Sequence, residues 1–371
     1  MDVMVEKRNG GFFMTQAASG CSNASRGFCA VRRAHLNGAL VNALTVGGVG
    51  TEPEYRRMGL VRNFLAEVEK LAEREDCPIT VLHPFSFAYY RKFGFERVAD
   101  HRILEMPVGA LDFVPRYEKL VRCTAADAKR LDALYNAFAK KRNLMFERCG
   151  YPWPLEDTAK RIYLSRDENG CADGYILYDI ENHLNVNHME RGVLHVRELV
   201  FTSPAALDRL FGFMRMFDGE LERVVLHNTA MAPEIERRLR HYTHTGITVM
   251  PDLMVRINDV EKILCAVQYP AEKGRFTVKV TEKDATAFSA PKTCGVWCVE
   301  YENGSAQVSR MGSDTSCDLA VELQAFTQLV FGYESTGADA ARYMHGVEIV
   351  TDCADFFRAF PNRPAGLFEH F

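Results

Sequence analysis

Val46-Gly-Gly-Val-Gly-Thr-Glu-Pro-Glu-Tyr-Arg-Arg-Met-Gly-Leu-Val-Arg62 is the stretch on which the fold turns. It leaves an apolar run, passes a glycine-rich turn and Pro53, and enters a segment whose Leu60, Val61, Phe64, Leu65, Val68 and Leu71 recur at helical spacing. The pattern predicts strand, turn and amphipathic helix, with Pro53 where a helix begins. A helix start offers unpaired backbone N–H groups and the positive end of the dipole, so a diphosphate can sit there without a metal. Gly59 lets the backbone come close, and Arg56, Arg57 and Arg62 add positive charge. The Lys-Ser/Thr pair of a nucleotide-hydrolysing loop is missing from the segment. The residues expected to hold such a ligand are Val49, Gly50, Thr51, Arg56, Arg57, Met58, Gly59, Leu60, Val61 and Arg62, joined by Phe85 and Ser86 beyond the next strand.

Upstream, residues 31–49 alternate around Asn37-Gly38, the strongest short hairpin signal, because both residues tolerate positive φ. Residues 17–26 are small and polar and read as a loop. Downstream, Cys77-Pro-Ile-Thr-Val-Leu82 reads as a short buried strand, closing a β–α–β unit with its turn at the strand's carboxyl end. Tyr90-Arg-Lys-Phe-Gly-Phe95 follows as a helical turn stopped by Gly94. The pattern restarts near residue 110, with a helix over 124–138, a buried strand at 192–201 and a helix over 205–217. Val200-Phe-Thr-Ser-Pro204 echoes Val49-Gly-Thr-Glu-Pro53, as an internal repeat would. Beyond residue 263, segments 275–281 and 295–301 alternate as antiparallel strands, Asn303-Gly304 makes a turn, and helices are expected over 318–331 and 338–344. Three units result, 1–110, 111–262 and 263–371, as a chain of 371 residues allows.

Composition narrows the function. With 47% hydrophobic and 25% charged residues the chain has the balance of a soluble globular protein, and it has neither a signal-type segment nor a run long enough to cross a bilayer, so a cytoplasmic protein without membrane attachment is expected. A net charge of −4 gives no electrostatic case for nucleic acid and suits a cationic ligand. The 11 cysteines form no CxxC pair and no zinc spacing, so no metal is expected.

Arg56-x-x-Gly59-x-Val61 resembles motif A of the GNAT superfamily of N-acetyltransferases, Arg/Gln-x-x-Gly-x-Gly/Ala, departing at its last position. Pro53-Glu-Tyr-Arg-Arg-Met-Gly-Leu60, Tyr90-Arg-Lys-Phe-Gly-Phe95 and Leu367-Phe-Glu-His-Phe371 together resemble the Eis-type acetyltransferases over nearly the whole chain. The resemblance implies an α/β (α+β) fold of two tandem GNAT-type domains followed by an α+β domain like sterol carrier proteins. It implies acetyl-CoA as cosubstrate, held by the first domain alone. Ala205-Ala-Leu-Asp-Arg-Leu-Phe211 agrees, having neither paired arginines nor the glycine. It also implies a homo-oligomer, often a hexamer, and a primary amine as acceptor, on an aminoglycoside, a polyamine or a lysine side chain.

By the same resemblance Tyr90 is the general acid and the Phe371 carboxylate the general base. A phenol of reference pKa about 10 stays protonated at neutral pH and can pass its proton to a departing thiolate. An α-carboxyl near 3.3–3.7 is a weak base unless burial or a relay helps it. Backbone N–H groups near Val49 and Thr51 are the expected oxyanion donors. Only about 45 residues precede the cradle's strand. That leaves no room for the two helices that usually wall the acceptor groove, and an impaired acetyl-CoA-binding protein or a lipid-binding scaffold is the competing expectation.

Overall fold

Asn37 and Gly38, at φ 44° and 84°, make the hairpin turn on which the first sheet is built. In the computed structural model, which describes residues 3–8, 10–181, 192–283, 286, 288–333 and 337–371, that sheet opens with β1 (Val3–Arg8), β2 (Gly11–Ala18), β3 (Cys21–Leu36) and β4 (Ala39–Thr51) as an antiparallel meander. Helix α1 (Leu60–Arg74) crosses to β5 (Ile79–Leu82), which pairs in parallel with β4 from Ala43 to Val46. Then come α2 (Phe87–Arg91) and β6 (Glu96–Arg97). The helix buries Leu60, Phe64, Leu65, Val68, Leu71 and Ala72, and most of these form one core with Leu44, Val46 and Leu82.

Two expectations need correcting here. The helix starts at Leu60; Pro53–Tyr55 is a single 3₁₀ turn, and Gly59, at φ 81°, halts the chain before α1. The loop expected at 17–26 is the turn between β2 and β3 followed by strand. Its small residues are strand residues because Ala24 and Ser25 are buried against β4: Ser25 Oγ donates to Gly50 O at 3.1 Å and accepts from Thr51 Oγ1 at 3.2 Å. Among the described residues no α-helix precedes α1.

The second sheet is formed by β7 (Asp100–Pro107), β8 (Val121–Arg122), β9 (Arg161–Arg166), β10 (Ala172–Glu181), β11 (Gly192–Phe201), β12 (Leu221–Leu226) and β13 (Gly246–Pro251), in the order β13-β7-β12-β11-β10-β9-β8. Helix α3 (Ala128–Ala139) opens behind a capping box in which Asp127 accepts from the Thr124 N–H at 3.0 Å. Helix α4 (Pro204–Met214) follows β11 as α1 follows β4, and the short α5 (Glu234–Arg238) follows β12.

The chain then returns. β14 (Met254–Ile257) inserts between β5 and β6 of the first sheet. The third sheet takes β15 (Gly274–Thr281), β16 (Gly295–Glu302), β17 (Ser305–Met311), β18 (Leu319–Glu322) and β19 (Val347–Ile349) in the order β17-β16-β15-β18-β19. With it go α6 (Val260–Ala266), α7 (Ala290–Thr293), α8 (Leu323–Phe331), α9 (Ala338–Ala341) and α10 (Ala354–Ala359). The helix expected over 318–331 is therefore a strand before it is a helix, because the apolar 319–321 pairs in parallel with β15. Aromatic rings fill this core, among them Trp297, Phe276, Phe326 and Phe356.

Residues cluster into two units, one of 1–99, 252–365 and 369–371, the other of 100–251 and 366–368. Strand membership departs from the boundaries at 110 and 262: β7 belongs to the second sheet and β14 to the first. Both strands are paired by residues far away in sequence, which local pattern does not reveal.

Candidate active site

The site grows from the end of β4. Its ladder to β5 stops at Val46–Leu82, while β4 runs on to Thr51, so from Gly47 onward the β5 side of its backbone has no strand partner among the described residues. On the other side Arg26 faces Gly50 and Phe28 faces Gly47, so Gly48 and Val49 oppose Gly27 alone. This bulge turns the end of the strand, as bulges at sites commonly do. The backbone donors expected near Val49 and Thr51 are on this stretch.

Beyond it, the start of α1 is capped by no side chain, because the N-cap residue is Gly59. Asn63 donates to Gly59 O at 3.1 Å as the first helical bond, which leaves the N–H groups of Leu60, Val61 and Arg62 without intrahelical partners. A cavity of about 480 Å³ opens there, lined by Val49, Gly50, Thr51, Tyr55, Arg56, Arg57, Gly59, Leu60, Val61, Phe85 and Tyr89. Tyr55 and Tyr89 were not among the expected residues; the others were. Tyr55 is fixed by its hydroxyl donating to Ser19 O at 2.9 Å, a contact to a distant strand end.

Three expected residues do not line the cavity. Met58 is half exposed beside it. The Arg62 guanidinium lies 6.0 Å from the Phe93 ring centroid. The Ser86 hydroxyl accepts from the Tyr89 N–H at 3.3 Å and so caps α2. Arg56 Nε donates to Thr51 O at 3.4 Å, tying the loop to the strand end.

Tyr90 is only 2% exposed, in an aromatic group with Phe85, Tyr89 and Phe95 at centroid distances of 5.1, 5.6 and 5.9 Å. Burial pushes its phenol up to about 12, with Tyr89 adding to the rise. Its neighbour Tyr89, raised by burial in the same direction, is the one of the two on the cavity wall.

Phe371 lies against β4 at Gly47. A Cβ built on Gly47 would come within 2.7 Å of the Phe371 carbonyl carbon and 2.8 Å of its oxygen, so glycine is what lets this residue approach the strand. Its ring is 5.0 Å from that of His83, the residue after β5. His83 Nδ1 is 2.9 Å from Asp252 Oδ1, a pair that no sequence pattern marked.

The second unit repeats the geometry with a different start. After β11 the N-cap of α4 is Ser203, whose hydroxyl accepts from the Ala206 N–H at 3.1 Å, and Pro204 has no N–H to offer. Two of the donors that α1 leaves open are here satisfied or missing. Among the described residues no group of three or more His, Cys, Asp and Glu is placed to hold a metal, and no helix is long and apolar enough to cross a membrane.

Known proteins agree with this geometry. Two family models match, each described as an acetyltransferase (GNAT) domain, at residues 25–98 and 141–257. The chain thus holds two GNAT domains in tandem and is an N-acetyltransferase of that type. Acetyl-CoA is the cosubstrate such domains use. No curated protein matches the chain. Among solved structures, a GCN5-related N-acetyltransferase from Anabaena variabilis superposes with a TM-score of 0.77 at 19% identity, over 94% of this chain and 90% of its own. Eis1 from Mycobacterium abscessus gives 0.77 at 14% identity, over 97% and 91%. A probable N-acyltransferase of unknown function from Enterococcus faecalis gives 0.75 at 18%, over 98% and 90%. At these identities the likeness is one of fold.

Proposed function

We propose that the chain transfers the acetyl group of acetyl-CoA to a primary amine, at a single site in the first GNAT domain, in the manner of Eis-type enzymes. The observation that carries this reading is the pairing of an uncapped α1 start with the unpaired end of β4 on one cavity. The amides of Leu60, Val61 and Arg62, with Arg56 and Arg57, receive the pyrophosphate. Backbone N–H groups at Val49 and Thr51 stabilise the oxyanion as the amine attacks.

Tyr90 gives its proton to the departing thiolate; burial keeps the phenol protonated until then and at the same time makes it a weaker acid. The Phe371 carboxylate, the general base that the resemblance implies, lies beside Gly47, where it draws the acceptor's ammonium to the strand. Tyr89 competes for the acid role because it faces the cavity, and the two are separated by replacing each with Phe. The acceptor is an aminoglycoside, polyamine or lysine-like amine. The second domain and the third, sterol-carrier-like sheet act as scaffold, in a homo-oligomer working in the cytoplasm without a metal.

Calorimetric titration tests the site. One acetyl-CoA per chain is expected, with binding lost in Gly59→Trp, whereas two equivalents, or none, would overturn it. A reading as an impaired sensor requires binding without amine-dependent thiol release.

A further inference from the structure

We propose that Asp252 and His83 form a positioned acid–base pair for the acceptor amine, with His83 Nε2 taking the proton that leaves the nitrogen and Asp252 fixing the ring that takes it. The inference rests on the acetyl-transfer reading above and names its base.

Three observations support it. His83 follows directly on β5, next to the point where β4 loses its partner, and the Phe371 ring that lies against it belongs to the residue whose backbone approaches Gly47 of β4. An ionised carboxylate only accepts, so the 2.9 Å contact from Nδ1 to Asp252 Oδ1 puts the ring hydrogen on Nδ1 and leaves Nε2 as a bare lone pair. Nε2 is buried and has no hydrogen-bond partner among the described residues, the kind of acceptor a fold keeps for a donor arriving with its ligand. The rings against His83 are those of His370 at 4.9 Å and Phe371 at 5.0 Å. The titratable groups in contact with it are therefore Asp252 and His370, and the Phe371 carboxylate belongs to the residue whose ring lies against it.

Magnitudes favour the imidazole over the carboxylate as base. From an ammonium with a reference pKa of about 10.4, transfer to an α-carboxylate near 3.5 is unfavourable by about 10⁷, and transfer to an imidazole near 6.5 by about 10⁴. The carboxylate is then the anchor of the cation and the imidazole its base. The ammonium first loses one proton through Nε2 to water; then, as the N–C bond forms and the C–S bond breaks, a second proton on nitrogen goes to Nε2 and the thiolate takes the proton of Tyr90. The imidazolium and the phenolate are restored by exchange with water, and the balance is one amide, one thiol and one released proton per ammonium consumed.

His83→Gln and Asp252→Asn test the pair, with kcat and kcat/KM followed against pH by thiol release. Acetyl-CoA affinity within about two-fold of wild type, by titration, shows that the first domain stands. For His83→Gln we expect kcat to fall about 10²–10⁴-fold and the acidic limb of the profile to disappear. Asp252→Asn keeps that limb, moves its midpoint, and loses less rate. A poorly basic acceptor, largely neutral at assay pH, narrows the His83→Gln deficit. Wild-type kcat and an unmoved acidic limb in His83→Gln would overturn the inference. If extending the chain beyond Phe371 leaves kcat intact while His83→Gln destroys it, the anchor role of Phe371 fails and the pair stands. Absence of amine-dependent thiol release from the wild type would sink the acetyl-transfer reading and the pair together.

Discussion

Gly47 is where a single methyl group is most informative. Its added Cβ would meet the backbone of Phe371 at 2.7 Å. Gly47→Ala is expected to displace Phe371 and lower kcat about 10²-fold with acetyl-CoA affinity unchanged, since a misplacement near 1 Å costs about that much. Unchanged turnover would mean that Phe371 does not need its place beside β4. Tyr90→Phe should cost about 10²–10⁴ in kcat, against a few-fold for Tyr89→Phe, and the reverse order would transfer the acid role to Tyr89. In the second unit His227 reports on pH. Its imidazole is pulled down to about 4, first by burial and then by Arg197, His195 and His101. The unfolded chain, near 6.5, takes the proton first as pH falls. Stability present above about pH 6.5 is therefore lost progressively toward pH 4, and His227→Gln should flatten that slope in denaturant titrations.

At the scale of elements, α1 and α4 are two versions of one strand-to-helix turn, and their first residues separate them. Gly59 sits at φ 81° with nothing within 4 Å of where a Cβ would stand, so Gly59→Ala costs only the left-handed backbone penalty of about 1–2 kcal/mol in the free protein. Because the methyl stands where the backbone must approach a ligand, acetyl-CoA affinity should fall as well. Ser203→Ala should cost about 1 kcal/mol through the lost cap and leave acetyl-CoA affinity untouched. Equal losses of affinity in the two variants would place cofactor at both turns. These turns were legible in the sequence because their signals are local: Asn37-Gly38, Pro53, Gly59 and the spacing from Leu60 to Leu71 each act within a few residues. Pro53 does not mark the start of α1, since a proline opens a 3₁₀ turn as readily as a helix.

At the scale of the molecule, what the sequence hid is what distance along the chain hides. β14 and β7 each pair with strands distant in sequence, and a strand carries no mark of which sheet will take it. Asp252 is 169 residues from His83, and neither stands in a motif, so the pair becomes visible only when β14 follows Asp252 into the first sheet. The tandem organisation, by contrast, was legible through the repeated turn at 49–53 and 200–204, and two matching domain families stand over those turns. The central claim is that one of these two domains performs acetyl transfer to an amine. The measurement that tests it most directly is the initial rate of thiol release from saturating acetyl-CoA across a panel of primary amines. The account predicts release that depends on the amine and is lost in Tyr90→Phe; release indifferent to every amine, or none from a protein that binds acetyl-CoA, would contradict it.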